Sequence, residues 1–453
     1  MTVMVFEAFI STPQMQAVYA EGAVAQALMD VEAAVARVQA RLGLIPSHAG
    51  QAIASLCRAE LYDVPAIMAA AARRGGPAQP LVQKLRETVA LFDPVAAGYV
   101  HWGCTDQDLV DTAQALLTQR ALRLIDEDLL QLCGHLLDLA EREVQRPMLT
   151  RIQLRPDSVQ SLRAKIVTWL APLLRSAQAL RSAARDTLML QLGGLGGAQV
   201  AWGSKDDALR EQVAGELHLG CPATGWHSQR DRGARLGAEL GLLCMVLGKL
   251  AQDLTLLSQP EVDELDWPAT TASGTQIGCT PALSAARRAP QRVSALLACM
   301  PQVLEHEAGA WHAELAEWAG LMLSAHGSVH ALVQVLASLR IKPARMLSQI
   351  EAQSDLVFQA PLRQLLTDEL GRSRAEPLMD DLLALVRDGQ GPLRRLAQGL
   401  LGEGAPLAGR MTPARMAQVF DVDAAAARAD ARAVGSLQQA RSLWAELCDS
   451  APF

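Results

Sequence analysis

Apolar positions return at helical spacing through most of the chain. From about 13 to 42, Val18, Ala25, Leu28, Met29, Val31, Val35 and Val38 recur near every third or fourth residue behind Thr12, which predicts one amphipathic helix with Thr12 as its N-cap. Shorter helices are expected over 47–60, 65–74 and 80–91, divided by Pro46, Pro65 and the Gly75-Gly76-Pro77 break. Residues 106–144 then run without proline and are interrupted only by Gly134. A helix of that length spans about 55–60 Å, more than a small domain can cover. Similar patterns lie at 157–190, with a kink expected at Pro172, and at 231–258 and 302–340. Gly233, Gly237, Gly241 and Gly248 would let the 231–258 helix approach a neighbour closely. Beyond 342 the helices shorten, divided by Pro361, Pro377, Pro392 and the Gly402–Pro406 link. No alternating strand pattern extends beyond short pieces. The expectation is an all-α fold in three parts: an N-terminal helical domain (1–100), a central bundle of long helices (101–342) and a C-terminal helical domain (343–453). Long apolar faces left over by one chain imply oligomerisation.

Composition narrows this picture. Half of the 453 residues are hydrophobic but only 4% are aromatic, a balance suited to helices with Ala and Leu cores. A net charge of −7 argues against a generic nucleic-acid surface. The eight cysteines are scattered with no C-x-x-C pair, so neither a disulfide framework nor a zinc finger is indicated. The N-terminus lacks a basic region followed by an apolar run, and the apolar stretch 236–247 is short and broken by Glu239. A soluble cytoplasmic protein with no membrane partner is expected. Lys84, Lys165, Lys205, Lys249 and Lys342 are the only lysines, and there is no asparagine.

Candidate chemistry concentrates where a polar loop meets the longest helix, at Tyr99-Val-His101-Trp-Gly103-Cys-Thr105-Asp106-Gln-Asp108-Leu-Val-Asp111-Thr112. Gly103 permits a tight turn, Thr105 is a natural N-cap, and the acidic residues suit the positive end of the helix. Helix N-termini also attract anions. Taken locally, the same residues do no more than start a helix.

This loop resembles the first signature of the fumarase/aspartase superfamily, and specifically the 3-carboxy-cis,cis-muconate cycloisomerase branch, which reads H-W-G-x-T-S-Q-D-x-x-D-T; here Asp106 replaces the serine. Collinear likeness extends through Leu28–Ala34, Gln191–Gly197, Trp226-His-Ser-Gln-Arg-Asp-Arg232 and Trp311-His-Ala-Glu314. The branch's second signature, R-T-W-L-Q-Q-A-L-P, is reduced to Arg151 and Leu154, with Arg155 at its first glutamine position, in a segment read as a charged loop before a helix starting at Pro156; Lys165 is preserved. The third signature, G-S-S-x-M-P-x-K-x-N-P, aligns with Thr271–Pro281: Ser273 keeps the second serine, Ala272 stands at the first, Gly278 at the lysine and Thr280 at the asparagine.

The resemblance implies removal of a proton beside a carboxylate, or addition of an internal carboxylate to a double bond to close a lactone, in a site shared between subunits of a homotetramer. It implies a small polycarboxylate substrate and no metal or organic cofactor. It places substrate binding on His101, Thr105, Lys165 and Arg230 and proton transfer on Ser273 or His227. Because the departures cluster at the signatures, two readings stand side by side. One is a cycloisomerase or lyase with altered substrate or chemistry. The other is a catalytically degenerate homologue serving as a binding or assembly protein. Cys279 is a further candidate acid or nucleophile in the third signature.

Overall fold

The computed structural model describes residues 5–194, 202–268, 277–305, 307, 309–450 and 453. Long helices form the centre, and six of them frame the site: α1 (Glu21–Arg41), α2 (Asp106–Arg142), α3 (Leu162–Thr187), α4 (Asp231–Ser258), α5 (Thr280–Ala298) and α6 (Ala310–Ala337). Helix α2 packs against α1, α3 and α6, while α4 packs against α3, α5 and α6. A last long helix, α7 (Val422–Asp449), returns from the C-terminal region onto α3 and α2, where Trp444 donates its indole N–H to the Leu130 carbonyl at 2.9 Å.

The buried apolar residues fall into two clusters. One runs from Met15 through Met346 and takes in Ala440 and Leu447 of α7; the other joins residues 350–420 to Leu149. Helices α4 and α6 are long and apolar enough to cross a membrane, yet more than half of each apolar window is buried in the bundle. Their apolarity is therefore used in helix contacts. The glycines of α4 make this contact possible: a Cβ on Gly241 would lie 2.5 Å from Val293 Cγ2 and one on Gly237 2.6 Å from Leu296 Cδ1, both on α5.

Four expectations about elements need correction. The N-terminal helix is two, Pro13–Val18 and α1, separated by extended backbone at Ala20. On one continuous axis Met15 and Ala25, ten residues apart, would point about 80° away from each other; the break lets both bury fully. Thr12 does cap the first piece, accepting from the Met15 N–H at 3.1 Å. The segment read as a loop before Pro156 is a hairpin, β1 (Pro147–Ile152) and β2 (Arg155–Ser161), paired antiparallel with Ile152 opposite Arg155. Its turn residues Gln153 and Leu154 both have positive φ, 50° and 64°, without the Asn or Gly that normally announces such a turn. Helix α3 accordingly starts at Leu162, capped by Ser161, and not at Pro156. Helix α5 fills a stretch where none was expected, and the helix expected from 302 starts at Ala310.

Candidate active site

The start of α2 is built around Asp108. Thr105 caps the helix, its hydroxyl taking the Asp108 N–H at 3.2 Å while the Asp108 carboxylate reaches back to the Thr105 N–H at 3.0 Å, a reciprocal capping box. The same carboxylate accepts the backbone N–H groups of Gly193 and Gly194, at 2.9 and 3.0 Å, and faces His227 Nε2 at 3.2 Å. Burial acts to raise the Asp108 pKa, but the hydrogen bonds from His227 and the Gly193 backbone outweigh it and hold the carboxyl below its ordinary range. Gly103 leads into this corner with φ +80°, and a Cβ there would sit 2.6 Å from the Trp202 indole nitrogen, so both conformation and space require glycine.

Gln191 packs its amide against the His227 ring. Its Oε1 accepts the Trp226 N–H at 2.9 Å, which turns the amide nitrogen toward the His227 ring, 2.9 Å from Nδ1 and 3.0 Å from Nε2. The ring is thus held between the Gln191 amide and the Asp108 carboxylate. Thr112 secures Gln191 in turn, donating its hydroxyl to the Gln191 carbonyl at 2.7 Å.

One turn further along α2, Asp111 meets Arg230 from the loop before α4. The guanidinium contacts both Asp111 oxygens, at 2.8 and 3.1 Å, and both Glu314 oxygens on α6, at 2.9 and 2.7 Å. Trp311 adds an indole N–H to Asp111 at 2.9 Å. Arg230 is 5% exposed, so this is a buried, doubly bidentate node tying α2, α4 and α6 together. Desolvation alone would lower its pKa, but Asp111 and Glu314 more than reverse that and keep the cation firmly protonated.

A cavity of about 350 Å³ opens above the helix start, lined by Thr105, Asp106, Gln107, Gly194, His227, Glu305, Trp311 and His312 among others. Thr105 and His227, singled out in the sequence, therefore share one cavity. His101 stands beside it in left-handed conformation, with Nδ1 2.5 Å from Glu32 and Nε2 3.9 Å from Asp106. Burial pulls the His101 pKa down, but Glu32 and then Asp106 and Asp108 push it up more strongly, so the imidazolium is favoured. When protonated, His101 offsets the charge Asp106 brings to the position where the branch has serine. No lysine or arginine lines this cavity among the described residues.

The remaining candidates lie elsewhere. Arg230 supports the wall from behind, its donors committed to Asp111 and Glu314. Lys165, on α3, pairs with Asp253 of α4 at 2.8 Å and lies 5.5 Å over the Trp169 ring. Arg151 is held by the fully buried Glu264 through contacts of 2.6 and 3.1 Å, while Arg155 is exposed on the hairpin. Ser273 lies outside the described residues. Gly278, at the lysine position, abuts α6: a Cβ there would be 2.5 Å from Val335 Cγ2, so a lysine would need that wall to move. Burial pushes the Cys279 thiol up to about 11, which removes it as a thiolate nucleophile near neutrality. Sequence reasoning passed over Asp108, Asp111, Gln191 and Glu314 as site residues. All four lie in the stretches that carried the resemblance.

The helical architecture, the capped start of α2 and the cavity above it define the fumarase/aspartase class of protein. The sequence profile of the lyase family matches residues 8–275. The 3-carboxy-cis,cis-muconate cycloisomerase of Pseudomonas aeruginosa is 33% identical over 92% of this chain and 92% of its own, and the nitrosuccinate lyase of Streptomyces davaonensis is 31% identical over 80% of each. The crystal structure of the 3-carboxy-cis,cis-muconate lactonizing enzyme from Pseudomonas putida superposes with a TM-score of 0.91 at 31% identity, covering 98% of this chain and 99% of that one. The chain belongs to this lyase family, in its cycloisomerase-like part.

Proposed function

We propose that the protein is a cytoplasmic cycloisomerase acting on 3-carboxy-cis,cis-muconate or a close polycarboxylate relative, in a homotetramer whose active sites are shared between subunits. The observation that carries this reading is the intact Thr105–Asp108–His227 corner opening onto a substrate-sized cavity, in a chain similar over its full length to enzymes named for that reaction. In the lactonising direction an internal carboxylate oxygen bonds to one alkene carbon while the neighbouring carbon gains a proton. The reverse step removes that proton and breaks the C–O bond. The N-terminus of α2 with Thr105 holds one carboxylate, and Ser273 or His227 handles the proton. His101 sets the charge around Asp106.

Sharing between subunits is supported by what a single chain lacks. Among the described residues no lysine or arginine lines the cavity, while Lys165 and Arg155 lie away from it, and the hairpin tip leaves Ile152 and Leu154 59% and 73% exposed. A second copy would cover that apolar tip and bring cations to the substrate. Asp106 favours one other reading, an elimination from a differently substituted succinate, because its carboxylate repels the triacid at one end. The catalytic names of several relatives support an enzyme over a purely binding or assembly role.

Purified protein is to be supplied with 3-carboxy-cis,cis-muconate, nitrosuccinate and simple substituted succinates, following loss of diene absorbance or appearance of fumarate. Turnover of the muconate with formation of a lactone is the expected result. Turnover of a succinate alone would move the assignment to elimination, and no turnover by a folded tetramer would reject the catalytic reading.

A further inference from the structure

Away from this site, two histidines and an aspartate converge between α2 and α6. His326 and His330 are one helical turn apart on α6, so their side chains share a face. Asp128 on α2 meets both: its Oδ2 lies 3.2 Å from His326 Nε2 and 2.9 Å from His330 Nδ1. The three donor atoms lie within 4.8 Å of one another.

We propose that Asp128, His326 and His330 bind a divalent zinc-class ion, with water completing the coordination. Zinc bonds of about 2.0–2.1 Å at tetrahedral angles place donor atoms about 3.3 Å apart, so the two Asp128–imidazole separations, 3.2 and 2.9 Å, need little adjustment. Two imidazoles and one carboxylate suit a borderline ion such as Zn²⁺ or Co²⁺ and suit Ca²⁺ or Mg²⁺ poorly. In the ion-free chain each imidazole can set a ring N–H against Asp128; in the bound state each ring keeps its one proton on its other nitrogen and turns a lone pair toward the ion.

The surroundings fit this role. His326 is 3% exposed, and its Nδ1 is 2.7 Å from the Thr12 hydroxyl, which already caps the first N-terminal helix. With Nδ1–H donated to Thr12, the Nε2 lone pair points at the site, the arrangement by which a neighbouring group orients a metal-bound histidine. His330 is half-buried, its side chain 37% exposed, which leaves an entry path from solvent. The ion would clasp α2 to α6 and, through Thr12, tie the N-terminal segment to the bundle.

The test uses full-length, chelator-treated protein titrated with Zn²⁺ by calorimetry and with Co²⁺ by visible absorption, alongside His330→Gln and, as a second variant, Asp128→Asn. The expected result is one ion per chain, intense tetrahedral Co²⁺ bands in the visible, and an affinity at least about tenfold weaker in each variant. Wild-type protein that binds no ion would overturn the proposal. So would folded variants, by circular dichroism, that bind with wild-type affinity, since the ion would then sit on other surface histidines.

Discussion

Replacing Arg230 by methionine removes the cation from the Asp111–Arg230–Glu314 node while keeping most of its apolar stem. Asp111 is fully buried, so its charge cannot relax into solvent; it keeps the Trp311 indole and the Gln107 amide, at 2.9 and 3.2 Å, but loses its one counter-ion among the described residues. Glu314, with a side chain 12% exposed, can turn toward water and contributes less. Removing one member of a buried pair costs about 3–5 kcal/mol, and the Asp111 side accounts for most of it here. The assay is urea unfolding followed by far-ultraviolet circular dichroism at fixed protein concentration, because assembly shifts the midpoint. Arg230→Met/Asp111→Asn removes the stranded charge and is expected to recover at least half of the loss. If Arg230→Met unfolds within about 1 kcal/mol of the parent, or if the double variant is no better than the single one, the node does not hold the three helices and the reasoning is wrong.

Three further outcomes follow from the same geometry. Asp106→Ser should lower the His101 pKa, since Asp106 helps to raise it; histidine NMR titration reads the shift, and an unchanged value would count against the pairing. The Asp108 carboxyl is depressed in the folded chain, so its contribution to stability is present above the unfolded pKa of about 3.9 and is lost as pH falls through the folded value. Asp108→Asn should therefore flatten the fall in urea midpoint below about pH 4, and an unaltered slope would refute the assignment. Gly103→Ala forces a Cβ onto the Trp202 indole in a left-handed backbone, with an expected loss of about 1–3 kcal/mol and a changed tryptophan emission spectrum. A variant with parental stability and emission would show that Trp202 yields freely.

The bundle was legible because apolar spacing, proline breaks and the Thr105 cap are local signals that tertiary packing here reinforces. Helix α2 ends within two residues of its expected stop, and three of the four glycines of α4, Gly237, Gly241 and Gly248, meet α5 as their size suggested. What stayed hidden depended on distant partners or on turns without their usual residues. Gln153 and Leu154 give no hairpin signal, so β1 and β2 read as a loop. The Pro281 and Pro290 positions masked α5, although the first falls in its opening turn and the second is accommodated within it. Arg230 is visible as a cation in the sequence, but that Asp111 and Glu314 consume its donors emerges only when α2, α4 and α6 pack. The His227–Asp108–Gln191 arrangement joins three segments in the same way. The spacing of His326 and His330 is plain, whereas Asp128 lies about two hundred residues earlier.

We propose that the corner at the start of α2 performs carboxylate chemistry, with Ser273 or His227 moving the proton. Its most direct test is kcat on 3-carboxy-cis,cis-muconate for the parent, Ser273→Ala and His227→Gln, with unfolding midpoints measured in parallel. Measurable parent turnover is expected, with a fall of at least about 100-fold in both variants without matching loss of stability. Equal turnover in all three proteins, or none in a well-folded parent, would contradict it.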